Sequence, residues 1–427
     1  MSRYKRYERY KDSGVEWIGE IPEEWDLSKI KYIPKYEYKS FVDGDWIESP
    51  YITDEGIRLI QTGNIGIGSY KEQGYRYISE DTFKDLNCTE VYPNDVLICR
   101  LAGPVGRACL APSLTERMIT SVDVCILKPK DNIDRRYLVY ILSYDGYLQE
   151  ADFLARGGTR QRISRTQLGN INILLPPTDQ QKSIANFLDQ KTAEIDGLIA
   201  DKEKLIELLQ EKRQAIITET VTKGLNPNVK MKDSGIEWIG EIPEHWNTSS
   251  LRWYVSIKSG DFISQEDIDV EGKIPVIGGN GLMSYTNKTN CNYKTIAIGR
   301  VGALCGNVHL IRRPSWITDN ALFITNLSNK LYIEYLFYVL KALDLNQYAN
   351  KTAQPLISGS LVKSRIIPIP PIVEQAAIAD FLDQKTAEID DLITEIKLQI
   401  QKLKEYRQSL ISEAVTGKID VRDYVVD

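Results

Sequence analysis

The chain has 427 residues, 42% of them hydrophobic and 26% charged, with a net charge of −6. These values predict two or three globular domains with sizeable cores, and no apolar run approaches the roughly 20 residues of a membrane span. The negative balance argues against a chain that binds nucleic acid through its net charge alone, although a local positive surface remains compatible with it.

Cysteine and histidine usage also restricts the chemistry. The six cysteines lack CxxC spacing, which predicts buried, reduced thiols in a cytoplasmic protein. There are only two histidines, which argues against a histidine-based metal site or catalytic triad. The N-terminal residues 1–14 are charged and aromatic and predict no secretory signal.

Two phrases occur twice along the chain. KDSGVEWIGEIPEEW at 11–25 returns as KDSGIEWIGEIPEHW at 232–246, and FLDQKTAEID at 187–196 returns unchanged at 381–390. The same order of phrases in both halves predicts a tandem duplication. Residues 1–25 and 225–246 are interpreted as the two repeated leading segments, and their tryptophans as packing anchors beside the end of a long helix.

The stretches 26–177 and 247–371 differ between the halves, but they share a plan. YPNDVLICRLAGPVG at 92–106 resembles YKTIAIGRVGALCG at 293–306, and GTRQRIS at 158–164 falls where TAQPLIS falls at 352–358. Short β-branched and aromatic runs between glycine and asparagine turns predict strand-rich domains. The sequence therefore predicts two α+β domains with the same fold and different surface residues.

A long helix is predicted after each variable stretch, at 178–224 and within 372–427, where a tail follows the helix. The first is expected to begin with a capping box from Thr178 to Gln181, and Gly224 and Gly417 are expected as C-caps. Apolar residues at heptad spacing predict a coiled coil that acts as a rigid spacer and partner interface. They are Leu188, Ile195, Leu198, Leu205, Leu209 and Ile216, then Leu382, Ile389, Leu392 or its neighbour Ile393, Ile396, Leu403 and Leu410.

No catalytic signature stands out, but positive charge is concentrated between 156 and 165. Arginine and glutamine on a glycine-containing loop suit contacts to base edges and phosphates. A solvated surface role is the alternative for most of these residues, and a buried ion pair is the alternative for Arg100 and Arg300. The candidate DNA-binding residues are Arg100, Arg156, Arg160, Gln161, Arg162, Arg165, Arg300, Lys351, Gln354, Ser358 and Lys363.

The combination resembles the specificity subunit of type I restriction–modification systems. The duplicated D-S-G-[VI]-E-W-I-G-E-I-P phrase, the P-P-x-x-x-Q lead-in to F-L-D-Q-K-T-A-E-I-D, and the V-T-K-G-L and V-T-G-K-I-D endings carry the resemblance, which covers essentially the whole chain. It implies two target-recognition domains in inverted orientation, separated by two antiparallel coiled-coil helices in a pseudo-twofold arrangement.

The resemblance also implies a function without catalysis by this chain. Each domain would read one half of a bipartite, asymmetric DNA site, while the helices set the gap and dock two methyltransferase subunits. Adenine methylation and ATP-dependent cleavage would belong to the methyltransferase and restriction subunits, which would bind S-adenosylmethionine, Mg²⁺ and ATP. Two alternatives remain: a fused restriction–modification enzyme, and a scaffold or orphan subunit that reads no DNA.

Overall fold

A computed structural model describes residues 4–155, 161–302, 304–350 and 355–424. The chain divides into two compact units. Unit one comprises Met1–Asp201 and Gln399–Asp427, and unit two comprises Lys202–Leu398. Each unit therefore contains one strand-rich domain, the first part of one long helix and the last part of the other.

Unit one begins with a hairpin, continues into the first strand-rich domain, and passes into the first long helix. Its strands are β1 (Tyr10–Asp12), β2 (Glu20–Pro22), β3 (Asp26–Lys29), β4 (Phe41–Asp43), β5 (Ile57–Ile60), β6 (Tyr77–Ile78), β7 (Val96–Cys99), β8 (Ala108–Leu110), β9 (Met118–Thr120), β10 (Val124–Leu127) and β11 (Asn172–Leu175). Its helices are α1 (Glu80–Asp85), α2 (Arg135–Ile141), α3 (Asp145–Leu154), α4 (Arg165–Asn170) and the start of α5 (Thr178–Lys223).

Unit two repeats this plan. Its strands are β12 (Met231–Asp233), β13 (Glu241–Pro243), β14 (Asn247–Ser250), β15 (Val255–Ser259), β16 (Ile274–Gly278), β17 (Gly281–Thr286), β18 (Thr295–Gly299), β19 (Val308–Ile311), β20 (Trp316–Ile317), β21 (Ala321–Leu327) and β22 (Ile366–Ile369). Its helices are α6 (Ile333–Ala342), α7 (Gly359–Lys363) and the start of α8 (Ile372–Val415).

The two domains have matching sheets. An antiparallel sheet runs β4-β10-β7-β8 in the first domain and β15-β21-β18-β19 in the second. A three-stranded sheet follows in each, β6-β5-β9 and β17-β16-β20, and each contains one parallel pair. The pairs β3–β11 and β14–β22 join the start of each domain to its end. These matches confirm the prediction of two domains with the same α+β fold.

Continuous apolar strands form the cores. Every residue of β7, VLIC, and of β10, VCIL, is buried, as is every residue of β18, TIAIG. Strands covered on both faces read as apolar runs without alternation. All six cysteines are buried free thiols, and burial raises the pKa of the Cys109 thiol to about 12. Among the described residues, no helix is long and apolar enough to cross a membrane.

The ends of the long helices confirm one prediction and correct another. Gly224 and Gly417 follow α5 and α8 with φ of 76° and 70°, as expected for C-caps. The prediction of a capping box at the start of α5 is wrong. The Thr178 hydroxyl donates to the carbonyl of Asn132, and the Gln181 amide donates to the carbonyl of Pro176. These side chains attach the helix to the domain that precedes it.

Candidate nucleic-acid interface

The repeated phrase FLDQKTAEID fixes each domain to its own helix. In unit one the Tyr140 hydroxyl donates to Asp189 Oδ1 at 2.8 Å and lies 3.3 Å from Thr192 Oγ1. In unit two Tyr338 makes the same pair of contacts, with Asp383 and Thr386. The two copies of the phrase therefore make the same docking contact, each with a tyrosine of its own domain.

The glutamine of the P-P-x-x-x-Q lead-in makes a second contact of this kind. Gln181 accepts from the backbone N–H of Asp134 at 2.9 Å, and Gln375 accepts from the backbone N–H of Tyr332 at 2.7 Å. Each glutamine also donates to the first proline carbonyl of its own lead-in at 2.8 Å. Both hydrogen-bonding ends of the amide are used, so each domain is held in a defined orientation on the start of its helix.

One backbone framework supports the candidate residues in both domains. Arg100 directly follows strand β7. Its carbonyl accepts from Ile163 N at 3.0 Å, and the next residue, Leu101, bridges to Arg162. In the second domain the Arg300 carbonyl accepts from Ile357 N at 2.9 Å, and Val301 bridges to Leu356. The segment before α4 is therefore held after the central strand in the same way as the segment before α7, which confirms the alignment for its described residues, 161–164 with 355–358.

Arg100 is part of the interior. It is 5% exposed, its guanidinium donates to the carbonyl of Val122 at 2.6 Å, and its Nε lies 3.4 Å from Asp43 Oδ1. The buried ion pair, weighed as the alternative to a DNA contact, is the arrangement present. We therefore leave Arg100 out of the proposed interface. Arg300 is half-buried and donates to Ser259 Oγ and to the carbonyl of Asp319.

The loop residues of the first domain are more accessible. Arg162 is partly exposed, and its Nε lies 2.7 Å from Asp123 Oδ1. Gln161 is exposed and borders an open cleft with Ala102 and Phe153. Arg165 begins α4 and donates to the carbonyl of Phe41 at 3.0 Å. Gln161 and Arg162 therefore lie beyond the end of β7, whereas Arg165 contacts the start of β4.

In the second domain the candidates have more local roles. Ser358 is the N-cap of α7 and accepts from Leu361 N at 3.2 Å, as Ser164 accepts from Gln167 N before α4. Lys363 is half-buried at the end of α7. The Ser358 hydroxyl is used to cap the helix, as the Ser164 hydroxyl is in the first domain, so we assign Ser358 a structural role. The candidates Arg156, Arg160, Lys351 and Gln354 lie outside the described residues.

Sequence reasoning missed a buried arginine that organises the loops of the first domain. Arg107 donates to the carbonyls of Ile65, Leu101 and Pro104, at 2.7, 2.8 and 2.8 Å. Five N–H donors on one planar group allow it to fix two loops at once. The signal in the sequence is a charged residue placed directly before the apolar strand β8.

A doubled G-D-[WF]-I motif was also missed. Trp46 follows Gly44-Asp45 and Phe262 follows Gly260-Asp261, and the two aromatic side chains are 71% and 76% exposed. The two segments directly follow equivalent edge strands, β4 in the first domain and β15 in the second. The structure thus displays one large aromatic side chain at the same place in each domain.

The predicted coiled-coil stripe is only partly buried. Leu188, Leu209, Leu382 and Leu410 are buried, as are Ile195, Ile389 and Ile396, whereas Ile216 and Leu403 are half-buried. Leu198, Leu205 and Leu392 are 43–51% exposed, so their assignment to a buried seam is wrong. Ile199 and Ile393, one residue further along, are buried instead.

An equivalent ion pair joins the two helices within each unit. Arg407 Nε lies 2.9 Å from Asp196 Oδ1 in unit one, and Arg213 Nε lies 3.1 Å from Asp390 Oδ1 in unit two. In each pair, the aspartate is the last residue of FLDQKTAEID. Across the described residues, no group of three or more histidine, cysteine or acidic side chains is arranged to hold a metal ion.

Comparisons with known proteins agree with this geometry. The model of the type I restriction modification DNA specificity domain matches residues 23–208 and 243–402. The MjaVIII specificity subunit of Methanocaldococcus jannaschii is 26% identical over 437 residues, which cover 94% of this chain and 95% of that protein. The EcoKI specificity subunit of Escherichia coli K12 is 20% identical over 94% of this chain and 90% of that protein.

A solved structure shares the fold. It was described in work on complex assembly and conformational transition of the type I restriction–modification system, and it aligns with a TM-score of 0.70 and 14% identity over 92% of this chain and 98% of that one. Since the family model matches most of the chain in two copies, one for each domain and its helix, the chain belongs to the type I restriction–modification DNA specificity family.

Proposed function

We propose that this chain is the DNA-specificity subunit of a type I restriction–modification complex, in which each domain reads one half of a bipartite, asymmetric site. The single observation that carries the proposal is the loop framework built twice around Arg100 and Arg300. The backbone contacts match, whereas the first two side chains differ, Gln161 and Arg162 in one domain and Pro355 and Leu356 in the other. A common backbone framework that displays different side chains suits two domains that recognise different DNA sequences.

The charge distribution supports a shared DNA clamp. The whole chain carries −6, but residues 247–372 hold 13 basic and 8 acidic residues, and residues 156–165 hold four arginines and no acid. Because phosphate contacts dominate affinity, a subunit with this balance needs basic partners around the duplex. Two methyltransferase subunits would supply them.

The long helices would set the distance between the two domains and bind the methyltransferase subunits. The ion pairs Asp196–Arg407 and Arg213–Asp390 fix the helices at equivalent points of the two units, which suits a spacer that sets the unread gap between half-sites. Leu198, Leu205 and Leu392 leave apolar surface uncovered on the same helices. We propose that methyltransferase subunits cover it, because large exposed apolar side chains commonly mark protein interfaces.

Catalysis would belong to the partners. The methyltransferase subunits would bind S-adenosylmethionine and methylate adenine, and the restriction subunits would bind Mg²⁺ and ATP and cleave DNA. The chain itself would contribute sequence readout and geometry, and the assembly would be cytoplasmic. Membership of the specificity family disfavours a scaffold without DNA readout.

The test is a domain exchange in the assembled complex. The chain is co-expressed with its methyltransferase subunit, and methylated adenines are mapped across the host genome. We expect one bipartite motif, and replacement of residues 247–371 by the matching domain of another family member should change one half of it only. Methylation without a bipartite motif, or loss of both halves on exchange, would refute the proposal.

A docking control accompanies this experiment. Leu205→Ser removes an exposed apolar side chain and should weaken co-purification of the methyltransferase subunit. Lys212→Ser changes an exposed polar position on the same helix and should leave co-purification intact. Equal recovery of the partner with both variants would place the docking surface elsewhere.

A further inference from the structure

The first domain carries a surface loop that the second lacks. Between the 3-10 turn Ile30–Tyr32 and strand β4 the chain makes an excursion through residues 33–40, IPKYEYKS. In the second domain, the turn Leu251–Trp253 is followed almost directly by β15. The two strands are equivalent, because β4 pairs with β10 as β15 pairs with β21. We call residues 35–39 the tyrosine–lysine loop.

The base of this loop is firmly held. Lys35 N donates to the carbonyl of Lys128 at 3.0 Å, and Lys128 N donates to the carbonyl of Ser40 at 2.8 Å. Pro34 and Pro129 form a β-bridge, and Ser40 is buried. Both ends of the loop are therefore fixed to the chain beyond β10, so the side chains at its tip are presented from a defined position.

The tip exposes aromatic and cationic groups together. Tyr36 and Tyr38 are 96% and 92% exposed. Lys130 Nζ lies 4.4 Å from the centre of the Tyr36 ring and 3.2 Å from its hydroxyl, and Lys39 Nζ lies 5.9 Å from the Tyr38 ring. Lys35 is paired with Asp131 at 2.7 Å. Glu37 offsets one of the two remaining lysines, Lys39 and Lys130, so the tip carries one positive charge in excess.

The backbone of the tip is strained. Lys39 has a φ of 62°, in the left-handed region that side chains other than glycine, asparagine and aspartate rarely adopt. It lies at the third position of the turn closed by Ser40 N and the carbonyl of Glu37. Glycine at this position would relieve the strain, so the lysine is retained at a cost to stability.

The loop adjoins the arginine-rich segment. It leads directly into Phe41, whose carbonyl accepts from Arg165 and whose ring lies 6.0 Å from that guanidinium. Lys31, just before the loop, donates to Asn170 in the same helix, α4. The loop therefore lies next to Arg165 and helix α4, which directly follows the arginine-rich segment.

We propose that the tyrosine–lysine loop binds the sugar–phosphate backbone of DNA beside the half-site read by the first domain, an inference that rests on the proposed function. Lysine ammonium groups neutralise phosphates, tyrosine hydroxyls donate to them, and such contacts position a protein without reading bases. The second domain lacks the loop. The DNA footprint should therefore extend further on the side of the first half-site.

The experiment uses the purified complex with the methyltransferase subunit and duplexes that contain the mapped site or a scrambled one. Lys39→Gly combined with Lys130→Ala should weaken binding to both duplexes by a similar factor, about 3- to 10-fold, and lower the salt slope by about two ion equivalents. Tyr36→Ala with Tyr38→Ala should also weaken both equally. The preference for the mapped site should not change.

The controls separate this effect from misfolding and from the proposed function. Lys39→Gly alone should keep or raise the melting temperature while it weakens binding, which a folding defect would not do. Trp253→Ala removes an exposed aromatic from the loop-free counterpart and should leave DNA binding unchanged.

Unchanged affinity and salt slope in the loop variants, with normal binding by the wild-type complex, would overturn the loop proposal alone. Loss of co-purified methyltransferase would overturn it in favour of a protein partner. A wild-type complex without sequence preference would overturn the proposed function.

Discussion

The indole N–H of Trp25 donates to the side-chain oxygen of Gln180 at 2.8 Å. Gln180 in turn donates to Glu24 at 2.8 Å. The second half replaces this chain of contacts, since Trp246 donates to Glu374 at 3.0 Å and His245 contacts the same carboxylate at 2.7 Å. The Glu24/His245 difference between the repeated phrases is thus matched by a compensating difference at the helix start.

This compensation can be tested by exchanging the pair. Gln180→Glu alone would place a second carboxylate beside Glu24 and should lower the unfolding free energy by about 1–2 kcal/mol. Adding Glu24→His should recover at least half of the loss, because it recreates the arrangement of the second half. Urea unfolding of the four variants measures the coupling. Glu23→His, at an exposed neighbour, is the control, and strictly additive effects would contradict the interpretation.

Two glycines link the repeated phrase to the helix ends. Gly417 has a φ of 70°, and an added Cβ would overlap Pro22 and lie 3.2 Å from Trp25. For Gly224 the φ is 76° and the added Cβ would lie 3.0 Å from Trp246. Alanine should destabilise at both positions, by about 1–3 kcal/mol each, with the larger effect at Gly417.

The matched control is Gly197, which lies inside α5 with no atom within 4 Å of an added Cβ. Gly197→Ala should stabilise the chain by about 0.5–1 kcal/mol, because alanine favours a helix interior. Thermal unfolding compares the three variants. Equal effects at all three glycines would show that the contacts with the tryptophans contribute nothing.

The repeats predicted much of the fold, because a phrase kept twice must serve the common frame. They located both long helices, both domains and the positions of Gly224 and Gly417. The heptad prediction failed at Leu198, where Ile199 is buried instead, and of the two neighbours Leu392 and Ile393 it is Ile393 that is buried. In a straight helix with 3.6 residues per turn, positions seven residues apart are rotated by about 20° around the helix axis. Residues at strict heptad spacing therefore move away from the buried face along the helix.

The candidate site was less predictable. Arg100 follows an apolar strand in the sequence, and only the folded chain brings Asp43 and the carbonyl of Val122 to its guanidinium. Ser358 is a candidate from the sequence because it is a polar residue in a loop, but its hydroxyl caps α7. Polarity identifies which residues can bind DNA, whereas partners distant in sequence decide which side chains remain available.

The helix pairing in unit one depends on charge at a defined position. Asp196→Arg should cost about 1 kcal/mol of unfolding free energy, because it opposes Arg407 and removes a partly exposed ion pair. The double variant with Arg407→Asp should recover most of the loss, and added salt should reduce the difference. Thermal unfolding at two ionic strengths measures both effects. The control is Glu207→Arg, which breaks an exposed ion pair with Lys204 inside α5 and none between the two helices.

Recovery is the decisive outcome of that experiment. A double variant that is no more stable than the single one would mean that the ion pair does not fix the helices. The same exchange at Arg213 and Asp390 repeats the test in unit two, where the Nε–Oδ1 distance is 3.1 Å. Agreement between the two units would establish the pair as part of the duplicated frame.

Arg162 provides the sharpest test of sequence readout by the first domain. Its guanidinium is partly exposed and paired with Asp123, so one edge is oriented while the other can reach DNA. Arg162→Ala should reduce discrimination at one position of the first half-site by about 1–3 kcal/mol and leave the second half-site unchanged. Arg162→Lys should preserve affinity for arbitrary DNA yet lose discrimination, because lysine lacks the planar fork.

Competition binding with single-base variants of both half-sites measures these changes, with methylation mapping as a second readout. Arg252→Ala, at an exposed arginine of the second domain, is the control and should alter neither half-site. If Arg162→Ala instead weakens every duplex equally and lowers the salt slope by about one, the residue contacts phosphate. Base readout by the first domain would then have to come from Gln161 or from the residues preceding it.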